Sequence, residues 1–238
     1  MQNTTQAAEG SILAIDTSSD ACSVALSYGS ETRHRYTDES RKHAEWVLPM
    51  VDGLLSDAGI SLKQLDAIAF ARGPGSFTGL RIAAGVVQGL ALGADLPVVP
   101  ISTLAVLAHQ GYRVHGWKSI MAALDARMGE VYWGCFHVSG FGDVIAVGEE
   151  QVCVPHQVQP GTLAVPAYGV GGGWIYQQQI ESTGSLPVKT DAAMLPHATD
   201  LLCLAQTQWR QGHTVDATQV VPVYLRNNVA AKPMPPGK

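Results

Sequence analysis

The chain has 238 residues, 46% of them hydrophobic and only 15% charged, with a formal net charge of −5. That length holds one large domain or two small ones, and either buries a real core. An acidic balance with only 15 Lys and Arg speaks against a free polyanion binder, and four scattered cysteines (Cys22, Cys135, Cys153, Cys203) without a CxxC pair speak against a zinc or disulfide framework and for a reducing, cytoplasmic setting.

Residues 1–10 are polar, with no Lys or Arg before the first apolar run, so they read as a flexible tail rather than a secretory signal. Ile12 to Ile15 and Cys22 to Tyr28 form a predicted β-hairpin around Asp16-Thr17-Ser18-Ser19-Asp20, and Arg33 to Thr37 adds a third strand. Arg41 to Ala58 turns helical, with Trp46, Met50 and Leu54 on one stripe and Val47, Val51 and Ala58 on another, and Gly59 ends it. Asp66 to Ala71 is a buried-type strand that breaks at Gly73-Pro74-Gly75, before a helix from Ser76 to Leu92. Val98 to Ile101 is again a strand, which completes an α/β lobe with a mixed sheet over residues 11–102.

A helix from Ser102 to His115 and strands Ile120 to Leu124 and Val131 to Val138 open a smaller second lobe, 103–195, whose later part includes Tyr168 to Gly173, a strand entering a glycine turn. Pro196 to Trp209 is the last predicted helix, and 196–231 is expected to return to the first lobe. Residues 232–238, with three prolines, read as a flexible tail.

The loop Gly73 to Gly79 lies between a strand and a helix, where an anion can bind, but it has neither the Lys of a P-loop nor a GxGxxG spacing. The helix after it is more informative. Gly85, Gly89 and Gly93 recur every four residues as a flat stripe, and only Arg81 and Gln88 are polar over much of its length. A helix apolar nearly all round is buried nearly all round. One side can lie on its own sheet, while a second apolar patch of about 400 Å² left wet would forfeit roughly 10 kcal/mol gross. With the helix from Arg41 to Ala58 beside it, this suggests a helical partner-binding surface, against the alternative that both helices are core. The run Leu80 to Leu92 is too short to span a bilayer.

Other candidate chemistry is thinner. Asp16-Thr17-Ser18 resembles the phosphate turn of actin-like ATPases and sugar kinases, although such residues also close hairpins. Asp125 and Glu130 flank a turn and form a candidate acid and base pair, against an ordinary strand-ending turn. The eight histidines include no HxxxH or HExxH pair, so no metal site is drawn, and no GxSxG elbow supports a serine nucleophile.

Four segments, Ile12 to Ser18, Arg72 to Gly79, Asp125 to Trp133 and Pro222 to Asn228, closely resemble the TsaB (YeaZ) family over about residues 11 to 231. The resemblance implies an actin-like (ASKHA, ribonuclease H-like) two-lobed α/β fold with mixed sheets. It also implies a role in forming N6-threonylcarbamoyladenosine beside the anticodon of tRNAs that read codons beginning with A. In that system a related transferase, TsaD, transfers the group and carries a His-x-x-x-His metal site. The matching stretch, Pro100 to Leu107, has Thr103 and Leu107 at the ligand positions, and neither replaces imidazole.

The resemblance therefore implies an accessory subunit with no catalytic residue, metal or cofactor of its own. Expected partners are a TsaD-like transferase, a TsaE-like ATPase through the complex, a second copy when the transferase is absent, and tRNA only through the complex, with no membrane. The partner face is assigned to His43, Trp46, Val47 and Met50 on one helix and Arg81, Gly85, Gln88 and Gly89 on the other, with the outward stripe left open. Asp16, Thr17 and Ser18 are a candidate vestigial nucleotide loop. The alternative is a nucleotide-binding enzyme of the related glycoprotease or ATPase type, using Asp16 and the turn Gly171-Gly172-Gly173.

Overall fold

The structure is a computed structural model that describes residues 9–39, 41–140, 142–184 and 187–226. Strands β1 (Ile12–Asp16), β2 (Cys22–Tyr28), β3 (Glu31–Thr37), β4 (Ala67–Gly73) and β5 (Val98–Ser102) form one sheet in the order β3-β2-β1-β4-β5. The β1–β2–β3 meander is antiparallel, while β1, β4 and β5 run parallel. All five residues of β1 are buried, because both faces of the sheet are covered. Leu13 and Ile15 point to α1 (His43–Ala58) and α2 (Phe77–Ala94), and Ile12 and Ala14 point to α5 (Ala198–Arg210).

α3 (Thr103–His115) joins this sheet to a second one. There β6 (Ser119–Arg127), β7 (Glu130–Val138), β8 (Val144–Ala146), β9 (Gln151–Cys153), β10 (Tyr168–Val170) and β11 (Lys189–Asp191) take the order β11-β10-β6-β7-β8, with β9 also on β7. Leu104, Leu107 and Ala108 of α3 cover one face, against Ile120, Ala122 and Phe136. The other face is filled by Trp133, Trp174 and Ile180, the last from the short α4 (Gln177–Glu181). The Trp174 indole N–H donates to Met121 O at 3.0 Å, so a large ring is buried without losing its polar partner.

Charged and polar ties hold α5 in place across long sequence separations. Asp200, fully buried, accepts two hydrogen bonds from Arg113 at 2.8 Å and lies 2.7 Å from His109 Nδ1. Burial alone would push this carboxyl up, but the bonds from Arg113 and His109 outweigh it and hold Asp200 below its ordinary value. Gln206 exchanges two bonds with the backbone of Gly10, N–H to Oε1 at 3.0 Å and Nε2 to O at 2.6 Å. Gly10 is thus buried and anchored, which corrects the expected tail 1–10 at its last residue. Residues 1–8 and the tail 232–238 lie outside the described residues, as do 227–231.

Candidate functional site

α1 and α2 lie on the same side of the first sheet and share one core with it. Ser76 caps α2 through a long bond from Gly79 N–H, 3.4 Å, and Gly59 ends α1 in the left-handed conformation at φ 67°. The inner face of α2 buries Leu80, Ala83, Ala84, Val87 and Ala91. Its outer face exposes Phe77, Arg81, Gly85, Gly89, Leu92 and Gly93, while Trp46, Leu48 and Pro49 are exposed at separate positions around α1. A Cβ added at Gly85, Gly89 or Gly93 would meet nothing within 4 Å. Glycine inside a helix costs about 1 kcal/mol relative to alanine, so the stripe gives up roughly 3 kcal/mol for no internal contact. A flat strip that the chain itself does not use suits the close approach of another helix.

At the start of the strip the surface is pre-shaped. The Arg81 guanidinium lies over the Phe77 ring, 3.6 Å from its centroid, and its Nε donates to Tyr224 OH at 3.0 Å. Phe77 and Tyr224 are in ring contact at 5.5 Å. Tyr224 belongs to a terminal strap that is tied to both lobes. Val223 N–H donates to Arg72 O at 2.7 Å, and Arg226 donates to Ala126 O at 3.1 Å and pairs with Glu130. Three of the sequence motifs thereby meet in space, although the last two residues of the fourth, Asn227 and Asn228, lie outside the described residues.

The predicted partner residues divide. Trp46, Arg81, Gly85 and Gly89 are exposed. Val47 is fully buried, and Met50 and His43 are 7% and 6% exposed, so the α1 stripe faces inward and these three are corrected to core positions. Val47 and Met50 pack in the first core, and His43 Nε2 bonds Ser19 O at 2.8 Å. Gln88 is half-buried and donates to Ala217 O at 3.2 Å, which occupies its amide internally. The exposed Phe77 and Leu92 of α2, and Tyr224 of the strap, were not singled out from sequence and lie on or against the same outer face. Phe77 was legible as the residue four before Arg81, one helical turn away, whereas nothing local in the sequence places Tyr224 there.

Asp16, Thr17 and Ser18 form a floor under the glycine loop, all at 1% exposure or less. Asp16 Oδ1 accepts from Ser18 N–H at 2.8 Å and Ser18 Oγ at 2.7 Å, and Thr17 Oγ1 donates to Gly79 O at 2.7 Å. A Cβ at Gly75 would stand 2.3 Å from Ser18 O, so the loop rests directly on this turn rather than arching over a cradle. Asp16 Oδ2 has no partner among the described residues. Burial pushes the Asp16 carboxyl above its ordinary value, with the Ser18 bonds opposing. A raised folded pKa means that this group's stabilising contribution is full below the unfolded pKa and is lost as pH rises through the folded one. Asp16→Asn is therefore expected to melt a few degrees higher at pH 7 and to lose that part of the pH dependence, as read by thermal unfolding across pH; a lower melting temperature at pH 7 refutes it.

The remaining candidates are structural. Asp125 Oδ1 accepts from Arg127 N–H at 2.9 Å and Glu130 pairs with Arg226, so the two carboxylates close a turn and anchor the strap. Thr103, the first residue of α3, and Leu107, one turn further on, are both fully buried. The turn Gly171-Gly172-Gly173 packs on β6: a Cβ at Gly171 would come within 2.5 Å of Ala123 O, and one at Gly173 within 2.7 Å of Ala123 Cβ.

Comparison with known proteins adds to this geometry. The family model "TsaD: tRNA N6-adenosine threonylcarbamoyltransferase" matches residues 37–234. A Haemophilus influenzae protein described as "tRNA threonylcarbamoyladenosine biosynthesis protein TsaB" is 45% identical, over 99% of each chain. The Escherichia coli protein of the same description is 41% identical, over 94% of this chain and 98% of that one. A solved structure, YeaZ from Pseudomonas aeruginosa, is 48% identical and superposes with a TM-score of 0.86 over 91% of this chain and all of the other.

Proposed function

The chain belongs to the TsaB family, and from that membership we propose that it is a non-catalytic scaffold that binds and supports a TsaD-like transferase in forming N6-threonylcarbamoyladenosine on tRNA. The observation that carries the reading is the glycine strip of α2, where an added Cβ would meet nothing within 4 Å, with the exposed Phe77 and Leu92 on the same helix face. Its shape fits a helix of the transferase, or the same face of a second copy when the transferase is absent. A TsaE-like ATPase joins through the assembled pair, and tRNA is engaged in that assembly, in the cytoplasm. α2 is long and apolar enough, at 18 residues, to cross a membrane by length and composition, which corrects the shorter run read from sequence. Its inner face is nonetheless committed to the first sheet.

The scaffold reading is supported by the two positions that the family resemblance sets against the transferase's ligands, where this chain has Thr103 and Leu107, both fully buried. The chain alone is expected to give no threonylcarbamoyl transfer to tRNA, and addition of a TsaD-like transferase is expected to restore it. Transfer by the chain alone at a comparable rate sinks the proposal. The rival reading, a nucleotide-binding enzyme, requires tight binding of ATP with magnesium to the isolated chain, which calorimetry detects directly.

A further inference from the structure

The outer edge of the second sheet carries a feature that the partner face leaves unused. Trp117, in the connection from α3 to β6, stacks on Tyr168 of β10 at 4.7 Å with planes 7° apart, and on His115 at 4.2 Å and 25°. Three near-parallel rings make a column, and its outer member is oriented by Asp191 Oδ2, 3.0 Å from His115 Nε2. A cavity of about 340 Å³ opens beside His115 and Trp117, walled by Lys189, Thr190 and Asp191.

The charge here runs against that of the chain as a whole. Lys189 lines this cavity and Lys118 follows Trp117 in the chain; both are exposed, and neither forms an ion pair among the described residues. Arg113 is drawn partly inward by Asp200. Aromatic rings interleaved with unpaired cations are how single-stranded nucleic acid is held: a base extends the ring column, and phosphates meet the ammonium groups. The Asp191 carboxylate beside the cavity orients His115, and it keeps affinity for a polyanion modest.

We propose that this edge is a contact for a single-stranded segment of RNA, with one base stacked against His115 in the cavity and flanking phosphates on Lys118 and Lys189. The proposal rests on the reading that the chain serves tRNA modification, and adds to it a site on the lobe away from α1 and α2. It assigns this subunit a direct hold on RNA, where the partner face assigns it none.

The test is a titration of the full chain, followed by tryptophan emission, with a single-stranded RNA dodecamer and with its duplex. Quenching by the single strand is expected to saturate with a Kd on the order of 10⁻⁴ M at low salt and to weaken steeply as salt rises, with a slope of about 0.7 per phosphate engaged. Trp117→Leu is expected to bind at least about fivefold more weakly, the low end of what one base stack contributes. Lys118→Glu combined with Lys189→Glu is expected to bind roughly tenfold more weakly, with a flatter salt dependence. Both lysines are on the surface, so this pair carries the test if Trp117→Leu folds poorly. Equal binding of single strand and duplex, no saturation, or indifference of the lysine pair overturns the proposal. Pairing of each variant with a TsaD-like transferase is measured alongside: intact pairing without RNA binding overturns this contact alone, whereas failure of the unaltered chain to pair overturns the scaffold reading.

Discussion

Gly85→Trp is expected to abolish pairing with a TsaD-like transferase while leaving the chain folded. The position lies mid-way along α2, exposed, with no atom within 4 Å of where a side chain begins. An indole there projects into open space, so nothing inside the chain must move, and replacing a helical glycine even recovers part of its propensity cost. A partner helix packed across small residues sits about 8 Å away axis to axis, and the indole occupies that gap. Because contacts at the centre of an interface dominate its free energy, we expect affinity to fall at least about 100-fold, close to 3 kcal/mol. Calorimetric titration against the transferase reads the loss, and thermal unfolding of the free variant reads the fold. Gly85→Ala is the control, expected to keep most of the affinity and to raise the stability of the free chain by up to about 1 kcal/mol. Unchanged affinity in Gly85→Trp removes the strip from the interface.

Gly79→Ala, less than two helical turns earlier, is expected to do the opposite: to cost the fold itself. A Cβ at this position would stand 1.8 Å from Thr17 O, backbone against side chain, whereas real Cβ contacts essentially never fall below 3.0 Å. Neither side yields cheaply. Thr17 is tied to Gly79 O by its own hydroxyl at 2.7 Å, and Ser76 N–H is bonded to Ser18 O at 2.7 Å, so α2 and the β1–β2 turn are fastened on both sides of the collision. Relief requires α2 to lift from the sheet by more than an ångström, which opens the first core along Leu80, Ala83 and Val87. A loss of roughly 4 kcal/mol or more follows, a large share of the total for a domain with ordinary stability. Urea unfolding measures it; a midpoint equal to that of the unaltered chain would show that the turn and the helix are not fastened as described.

These two glycines show what the sequence makes legible and what it does not. The four-residue spacing of Gly85, Gly89 and Gly93 identifies α2 and its flat stripe, but nothing in the sequence says that Gly79 serves the inside of the chain and Gly85 the outside. On α1 the same ambiguity led to an error: with apolar residues on two stripes, periodicity cannot say which one lies on the sheet, and Val47 and Met50 turned out to be core. The predicted elements through β7 were visible because each is long enough for a period and is punctuated by Gly, Pro or a cap. β8, β9 and β11 have three residues each, too few for alternation to register. The cluster of Asp200, Arg113 and His109 joins residues about 90 positions apart, and no local pattern announces it. Likewise Tyr224 reaches Arg81 only because the strap returns across the first lobe.

The position of α5 has a consequence for how the chain is made. β1, β2, β4 and β5 emerge from the ribosome early, yet the helix that covers Ile12, Ala14, Ala67 and Ala69 begins at Ala198, after the whole second sheet. At about 5–20 residues per second, the interval between Ser102 and Ala198 lasts on the order of 5–20 s. For that time a nascent first sheet has an apolar face that only α3 partly shields. Gly10 waits equally long for Gln206. The half-made chain therefore leaves an apolar sheet face open to unwanted contacts, and closure of the first lobe is among the last events of its synthesis.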